Sequence, residues 1–373
     1  MTHSPSLPLS DLQGRLARAA QRVTDAGLDA LLVSPGTDLR YLSGYEAKPL
    51  ERLTCLVVPA QGEPFLVAPY LEKPAALASP VGELGLDILT WQETENPYAL
   101  VAQRLGAVGA IAMDDHMWAE KVFAFQKEMP TTRQRAAADL LQELRIIKTP
   151  AEVAALAQAG AAIDAVHANM GEWLRAGRTE REVARDVADA IVHAGHASMD
   201  FVIIASGPNG ASPHHDASDR VIGEGEPIVV DIGGTTHAGY ASDCTRMYCI
   251  GQPPADFVDY YAALQLAQNA ATAAVRPGVT CESIDAAARD VLTAHGWGER
   301  FVHRVGHGIG LDTHEHPYMV SGNTRTLEEG MAFSIEPGVY LPNKHGARIE
   351  DIVVCGTDGA IVLNNETRDL VVL

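Results

Sequence analysis

The spacing of apolar residues predicts alternating helices and strands over residues 1–140. Stretches with an apolar residue at every third or fourth position are typical of helices that cover a core, and short apolar runs are typical of buried strands. Because the two patterns alternate along the chain, this segment is expected to be an α/β domain. The predicted helices lie at 12–26, 37–42 and 117–127, and the predicted strands lie at 28–33, 53–58, 64–67 and 107–113.

Residues 141–373 have the order helix-helix-sheet twice, which indicates an internal duplication of organisation. Both helices of the first pair begin with a capping box, in which Thr149 is followed by Glu152 and Thr179 by Glu182. The predicted fold class is therefore α/β (α+β), with an N-terminal domain at 1–140 and a duplicated C-terminal domain at 141–373. The C-terminal elements are helices at 149–176 and 179–195, a β region at 201–248, helices at 255–275 and 281–295, and a β region from 301 to 373.

Composition narrows the classes of partner. The 373 residues include 48 acidic and 28 basic side chains, so the formal net charge is -20. Nucleic acids and anionic membranes favour Lys and Arg, so neither is expected as a partner. No apolar run approaches the length of a membrane span, and no signal-peptide pattern is visible. Five cysteines without C-x-x-C spacing argue against a disulfide framework and favour a reducing cytoplasm.

Two aspartates of the first β region are candidates for a metal site. Asp231 follows the apolar residues Ile228 to Val230, and Asp243 comes later, beyond a glycine-rich stretch. This spacing suits two adjacent strands joined by a loop. Two buried like charges would raise one pKa strongly unless a cation lay beside them. A pair of solvated turn aspartates is the alternative, but it fits poorly with the apolar run before Asp231.

The second β region supplies one histidine and two glutamates. His307 lies among three glycines, Glu336 precedes a Pro-Gly turn, and Glu350 lies just before an apolar run. Buried glutamates need partners, which a pair of metal ions would supply. Four carboxylates and an imidazole suit two Mn, Co, Fe or Zn ions. A lone histidine would more often be a core residue, but four histidines are close together here, at 303, 307, 314 and 316.

The residues next to the candidate ligands are expected to face away from the site. Successive side chains of a strand point to opposite faces, so Cys244 should pack on the side opposite to Asp243. By the same argument Asp351, beside Glu350, is expected to point to the surface.

These residues lie in motifs that resemble those of the pita-bread metallopeptidases, in particular the prolidase and aminopeptidase P branch. The order and spacing of the motifs fit that family over residues 149–373. The N-terminal part looks like the smaller creatinase/prolidase-type domain of these enzymes. The matching stretches are Val230 to Gly233, Ser242 to Arg246, Gly306 to Glu315, Ser334 to Gly338 and Arg348 to Asp351.

The resemblance implies a binuclear metal centre in a pita-bread catalytic domain. Asp243 and Glu350 would each bridge the two ions, and Glu336 would also pass a proton to the leaving nitrogen. A water or hydroxide between the ions would attack the scissile carbonyl. Manganese is expected first, with Co, Zn or Fe as alternatives. The implied metal ligands are Asp231, Asp243, His307, Glu336 and Glu350.

Other residues are implied to bind the peptide. His214 and His314 would bind substrate and take part in catalysis, with His314 stabilising the oxyanion. His303 would form a wall of the pocket for the proline ring, and Arg348 would support the ligands beside the substrate. No role is implied for the neighbouring histidines at 215 and 316.

The implied activity is hydrolysis of Xaa-Pro bonds in small peptides by a cytoplasmic homodimer. An Xaa-Pro dipeptidase (prolidase) is expected, because Phe301 to Arg304 looks more like prolidases than like aminopeptidase P. Such an enzyme must recognise the product-side carboxylate with a cation or exclude longer chains, and the sequence does not identify that cation. One alternative is an aminopeptidase P that acts on longer peptides. Another is a non-catalytic peptide-binding homologue, although such proteins commonly lose ligands and this chain keeps all five.

Two relatives of the same fold fit less well. Methionine aminopeptidases usually lack a preceding domain of this size. Creatinase-like hydrolases have both domains but do not keep all five metal ligands.

Overall fold

The computed structural model describes residues 8–373 and divides into two units between Arg145 and Ile146. The N-terminal unit alternates helices and strands, as the apolar spacing predicts, whereas the domain limits 1–140 and 141–373 stay a prediction. Its helices are α1 (Leu9–Asp25), α2 (Thr37–Ser43), α3 (Lys73–Ala78), α4 (Pro80–Leu84), α5 (Pro97–Leu105), α6 (Ala119–Glu128) and α7 (Ala138–Arg145), and its strands are β1 (Ala30–Val33), β2 (Cys55–Pro59), β3 (Phe65–Pro69), β4 (Asp87–Trp91), β5 (Ala110–Met113) and β6 (Arg133–Ala136).

One mixed sheet lies at the centre of the N-terminal unit, with the strand order β4-β3-β2-β1-β5-β6. Strand β1 pairs antiparallel with β2 and parallel with β5. Every residue of β1, β2, β3 and β5 is buried. Strands buried on both faces read as continuous apolar runs rather than as an alternation, which is the pattern that the sequence contains here.

The C-terminal unit has the predicted helix-helix-sheet order twice. The first half contains α8 (Pro150–Ala168), α9 (Glu180–His193), β7 (His196–Ser206), β8 (Pro227–Thr236) and β9 (Ala241–Cys249). The second half contains α10 (Ala255–Ala274), α11 (Cys281–Ala294), β10 (Gly306–Gly308), β11 (Glu315–Met319), β12 (Ala332–Ile335), β13 (Gly338–Leu341), β14 (His345–Arg348), β15 (Asp351–Cys355), β16 (Ala360–Val362) and β17 (Val371–Val372).

Each half contributes its own sheet. The first sheet has the order β17-β9-β8-β7, so the last strand of the chain returns to the first half. The second sheet has the order β11-β10-β12-β15-β16, and β13 and β14 form a separate hairpin. Separate apolar clusters join α8 and α9 to the first sheet and α10 and α11 to the second. The two sheets supply the candidate metal ligands.

Helix α8 ends earlier than the sequence predicts. Both capping boxes are present, but α8 stops at Ala168 instead of 176, and a 3₁₀ turn follows at Met170–Glu172. The side-chain amide of Asn169 donates to the Ala165 carbonyl oxygen at 2.8 Å. This local bond competes with the helical backbone pattern and explains the early end.

The sequence predicts that the cysteines form no disulfide framework and that no segment is long and apolar enough to span a membrane. All five cysteines are buried and free. Cys244 packs in the apolar cluster of the first half, as its alternation with Asp243 predicts. Among residues 8–373, no helix combines the length and the apolar character needed to cross a membrane.

Candidate metal centre

Adjacent strands β8 and β9 carry the two candidate aspartates. Their antiparallel register pairs Asp231 with Thr245 and Asp243 with Gly233. Because side chains alternate along a strand, Asp231 and Asp243 lie on the same face of the sheet. Both are buried, at 7% and 4% exposure. The prediction of two adjacent strands joined by a loop is confirmed.

His307 lies between glycines that the strand packing requires. A Cβ at Gly306 would be 1.9 Å from the Ser334 carbonyl oxygen, and a Cβ at Gly308 would be 2.3 Å from the His316 carbonyl oxygen. The backbone N–H of His307 donates to Ser334 Oγ at 3.0 Å. Its Nδ1 lies 3.0 Å from the Gly308 carbonyl oxygen. A neutral ring therefore carries its proton on Nδ1 and leaves Nε2 free to act as a ligand.

Glu336 and Glu350 come from the second sheet. Glu336 directly follows β12 and Glu350 directly precedes β15, so both lie at strand ends rather than within the strands. The Nε2 atom of His307 lies 3.2 Å from Glu336 Oε1 and 3.6 Å from Asp243 Oδ2. The Ser334 hydroxyl donates to Glu336 Oε1 at 3.0 Å. The second half of the unit thus faces the aspartates of the first.

The five predicted ligands are brought together. Their ligand atoms fall into three groups, and within each group all the atoms lie within 4.8 Å of one another. Asp243, Glu350 and His307 each belong to two groups, so they connect the set. The groups are Asp231, Asp243 and Glu350; His307, Glu336 and Glu350; and Asp243, His307 and His314.

Two buried carboxylate oxygens of this cluster have no hydrogen-bond partner among residues 8–373. They are Asp231 Oδ1 and Glu350 Oε1. Burial and repulsion from Asp231 raise the pKa of Asp243 well above its usual value, and burial and repulsion from Asp243 do the same for Glu350. Unpaired buried charges are costly. Divalent cations would satisfy both the oxygens and the charge, so these residues fit a metal centre.

The His307 ring and the Glu336 carboxylate lie in contact and shift the pKa of one another. Burial lowers the pKa of His307, but the contacts with Glu336 and Asp243 outweigh burial, so the pKa is raised. Burial likewise raises the pKa of Glu336, but the hydrogen bond and charge of His307 bring it down to about 2. Glu336 therefore keeps its charge more readily than Asp243 does.

Arg348 connects the cluster to its surroundings. It is buried and forms an ion pair with Asp231. Its Nε donates to Thr245 Oγ1 at 3.1 Å, and its Nη1 donates to the Tyr340 hydroxyl at 2.9 Å. The Thr245 hydroxyl in turn donates to Glu350 Oε2 at 2.8 Å. Sequence reasoning missed Thr245 and Tyr340, although Thr245 lies two positions after a candidate ligand on the same strand face, which is a usable signal.

The prediction that Asp351 points to the surface is wrong. Asp351 is 0% exposed and accepts hydrogen bonds from Arg246 Nη2 and Gln268 Nε2, each at 2.7 Å. It also pairs with Arg368. Gln268 belongs to α10, which packs against this side of the strand. The side opposite to Glu350 is therefore a second buried layer.

Three further histidines lie near the cluster. The ring centroids of His314 and His307 are 4.0 Å apart, and His303 Nε2 is 2.9 Å from the Tyr340 hydroxyl. Burial lowers the pKa of His303, and burial together with the charge of His307 lowers that of His314 to about 4. The charge of His214 adds a smaller lowering at both. His214 therefore lies within electrostatic range of both His303 and His314.

Glu180, the first residue of α9, anchors the segment that carries His214. Its carboxylate is 0% exposed and accepts hydrogen bonds from residues 206–218. On the other side, Arg348 Nη1 donates to the Pro213 carbonyl oxygen at 3.3 Å. This gives His215 a structural role that the sequence does not assign. The donors to Glu180 are Ser206 N and Oγ at 2.8 Å, Asn209 Nδ2 at 3.0 Å, His215 Nε2 at 2.9 Å, Ser218 N at 3.1 Å and Ser218 Oγ at 2.7 Å.

Replacing Glu180 with alanine is expected to destabilise the protein by about 3–5 kcal/mol, the usual range for breaking a buried charged network. Burial raises the pKa of Glu180, but hydrogen bonds from Ser206, Ser218 and His215 bring it to about 2. Urea unfolding would measure the loss. Asp189→Ala removes an exposed acid from the same helix and is the control, with a much smaller expected loss. Equal unfolding midpoints for the two variants would contradict the anchoring role.

The fold and the site together define a class of protein. Acidic ligands from two similar halves surround a buried centre, an α/β unit precedes them in the chain, and this combination is that of a pita-bread metallohydrolase. The chain belongs to metallopeptidase family M24, whose sequence model matches residues 154–357. The model of the Creatinase/Prolidase N-terminal domain matches residues 15–147. The family and the fold class predicted from the sequence are confirmed.

Known relatives cover almost the whole chain. It is 52% identical over 360 residues to the probable dipeptidase PepE of Mycobacterium tuberculosis, across 96% of each chain. It is 35% identical over 370 residues to the Xaa-Pro dipeptidase of Lactobacillus helveticus, across 96% of this chain and 98% of the relative. The crystal structure of dipeptidase PepE from Mycobacterium ulcerans superposes with a TM-score of 0.95 at 50% identity, covering 99% of both chains.

Proposed function

We propose that this chain is a metal-dependent Xaa-Pro dipeptidase. The observation that carries the proposal is the buried ligand cluster, in which Asp231 Oδ1 and Glu350 Oε1 have no hydrogen-bond partner among the described residues. Relatives whose names include dipeptidase and Xaa-Pro dipeptidase support the reaction and the substrate class. The same two acids would be ligands, together with Asp243, His307 and Glu336.

Two divalent cations held by these residues would supply an activated water and polarise the scissile carbonyl. Manganese is proposed first, with Co, Zn or Fe as alternatives, because an oxygen-rich set accepts all of them. Asp243 and Glu350 are proposed to be shared between the two ions. Each of them belongs to two of the three ligand groups, as His307 also does, and a carboxylate has two oxygens with which to contact two ions.

The remaining steps belong to side chains of this chain. Glu336 is proposed to carry a proton to the leaving nitrogen, and its position beside His307 supports this role. His314, whose ring is exposed, is proposed to stabilise the developing oxyanion. His214 would bind the peptide with it. A proline on the leaving side makes a tertiary amide without an N–H, so recognition must use the ring, and His303 is proposed to form one wall of its pocket.

Arg348 is proposed to act through the ligands. It pairs with Asp231 and donates to Thr245 and Tyr340. These bonds hold the aspartate and, through Thr245, Glu350 in place. The homodimer and the cytoplasmic location expected from the family and from composition are likewise proposed, with the five free cysteines as support for a reducing compartment.

An Xaa-Pro dipeptidase and an aminopeptidase P differ in the length of the peptide that they prefer. With Mn²⁺ added, we expect kcat/KM for Ala-Pro to exceed that for Ala-Pro-Gly by about tenfold or more, equivalent to about 1.4 kcal/mol of transition-state binding. The release of free alanine would measure the rate of hydrolysis of both peptides. Ala-Ala, which lacks the proline ring, is the control substrate. Preference for the tripeptide would instead indicate an aminopeptidase P.

A further inference from the structure

The guanidinium of Arg304 forms an ion pair with none of the described acidic residues. Its guanidinium carbon lies 4.2 Å from the centroid of the Tyr318 ring. Within residues 8–373 its guanidinium takes part in no ion pair and no hydrogen bond. The chain has 48 acidic and 28 basic residues, so acids are plentiful, yet this half-buried arginine contacts an aromatic ring instead.

Strand pairing places Arg304 beside the candidate metal centre. The register of β10 and β11 sets Tyr318 directly opposite His307. Side chains of such a pair share one face of the sheet, with Cβ atoms about 4.5–5.5 Å apart. The ring centroids of His307 and His314 are 4.0 Å apart. The guanidinium is therefore close to both histidines.

The other basic side chains near the centre are already paired with acids. Arg348 forms an ion pair with Asp231, and Lys148 forms one with Glu315. Arg246 pairs with Asp351 on the opposite side of the sheet. Within the described part of the chain, Arg304 is thus the basic residue of this neighbourhood that retains its donors for a ligand.

The position of the guanidinium over the Tyr318 ring suits recognition of a carboxylate. Contact with an aromatic ring uses the face of a guanidinium and leaves the N–H groups on its edge free. These donors form two parallel hydrogen bonds with a carboxylate, which an amide cannot match in charge or in number of acceptors. A dipeptide has its carboxylate on the residue after the scissile bond, and consecutive Cα atoms are only about 3.8 Å apart. A longer peptide has an amide in that place.

We propose that Arg304 binds the C-terminal carboxylate of an Xaa-Pro dipeptide and thereby sets the preference for dipeptides over longer peptides. This inference rests on the proposed dipeptidase function and identifies the cation which that function requires. Tyr318 acts as a positioning residue, because its ring holds the guanidinium plane.

The test compares a free carboxylate with an amide in the substrate and in several variants of the enzyme. The measured quantity is the ratio of kcat/KM for Ala-Pro to kcat/KM for Ala-Pro-amide, with Mn²⁺-loaded full-length protein. Arg304→Met keeps the apolar stem over Tyr318 but removes the cation, and we expect the ratio to fall by about 10–100-fold. Arg304→Lys keeps the charge without the planar fork, so its ratio should lie between those of the wild type and Arg304→Met. The exposed Arg300 supplies the matched control, since Arg300→Met removes the same charge nearby and should leave the ratio unchanged.

The outcomes separate this inference from the proposed function. If Arg304→Met retains the wild-type ratio, or loses activity equally on both substrates, Arg304 does not bind the C-terminal carboxylate. Arg304→Lys with wild-type metal content and an unchanged ratio would lead to the same conclusion, even if the methionine variant fails to fold. If the wild-type enzyme hydrolyses Ala-Pro and the Arg304 variants have the same ratio of kcat/KM values as the wild type, only the role of Arg304 is overturned. A wild-type enzyme that cleaves neither substrate overturns the proposed function and this inference with it.

Discussion

Asp243→Ala is expected to reduce kcat/KM for Ala-Pro by on the order of 10⁴-fold, equivalent to about 5.5 kcal/mol of transition-state stabilisation. Asp243 lies at 4% exposure and belongs to two of the three ligand groups, which it shares with Asp231, Glu350, His307 and His314. Removing a shared ligand would weaken both halves of the centre at once, so we expect metal content to fall together with activity. Steady-state kinetics and elemental analysis of the purified variant would measure the two losses.

Two variants separate ligand loss from unfolding. Asp243→Asn keeps the size of the side chain and loses its charge, so it should be folded and almost as inactive. Asp200→Ala removes an exposed acid from the neighbouring strand β7 and should leave activity and metal content close to those of the wild type. Retained turnover with normal metal content in Asp243→Ala would refute the ligand assignment.

Removing the metal is expected to destabilise the protein and to change the sign of its pH dependence. The pKa values of Asp243 and Glu350 are raised in the folded chain by burial and by repulsion within the carboxylate cluster. The folded state then binds more protons than the unfolded state, so stability falls as pH rises above the unfolded carboxyl pKa. His307, whose pKa is also raised, contributes stability below its unfolded pKa and loses it as pH rises. Glu336, with a pKa of about 2, is ionised throughout the range from pH 5 to 8.

Metal binding should oppose this trend, because the ligands must be deprotonated to bind. With Mn²⁺ at about 100 times its Kd, one site adds about 2.7 kcal/mol. For a unit of this size that is a rise in Tm of roughly 5–10 °C. Calorimetry of stripped and reloaded protein at several pH values between 5 and 8 would measure both effects.

The stripped Asp243→Asn variant provides the matched comparison for this experiment. It lacks one of the two carboxyls with raised pKa, so its Tm should fall less between pH 5 and 8 than that of the stripped wild type. It should also gain less from added Mn²⁺. If the stripped wild type became more stable as pH rose, the carboxylates would not be the dominant charges of this site. Binding of less than one metal ion per chain at saturation, without activity, would favour the non-catalytic peptide-binding alternative.

Much of the fold could be predicted from short-range patterns. The capping boxes at Thr149 and Thr179 place the starts of α8 and α9, because they involve only residues within one helical turn. Predicted helix ends were less reliable. The side chain of Asn169 bonds to Ala165 and ends α8 early, which apolar spacing does not reveal.

The candidate ligands could be selected from the sequence because each is an acid or histidine in an apolar or glycine-rich context. The short distances between these residues in the folded chain could not be predicted in this way. They depend on the register of β8 against β9 and on how closely the second sheet approaches the first. Thr245 was missed because a hydroxyl beside a strong ligand carries little signal by itself. Asp351 was placed wrongly because alternation along a strand says which way a side chain points but not whether a helix covers that side.

The sequence by itself determined the duplicated order, the starts of the capped helices and the set of candidate ligands, because these follow from residue types and from interactions over a few positions. Tertiary structure alone decided which side chains are partners. It joined Glu180 to His215, buried Asp351 against Arg246, and placed Arg304 over the Tyr318 ring with hydrogen-bond donors that no residue of 8–373 uses. Charge pairing depends on distances between residues far apart in the chain, and packing of the sheets and helices sets those distances.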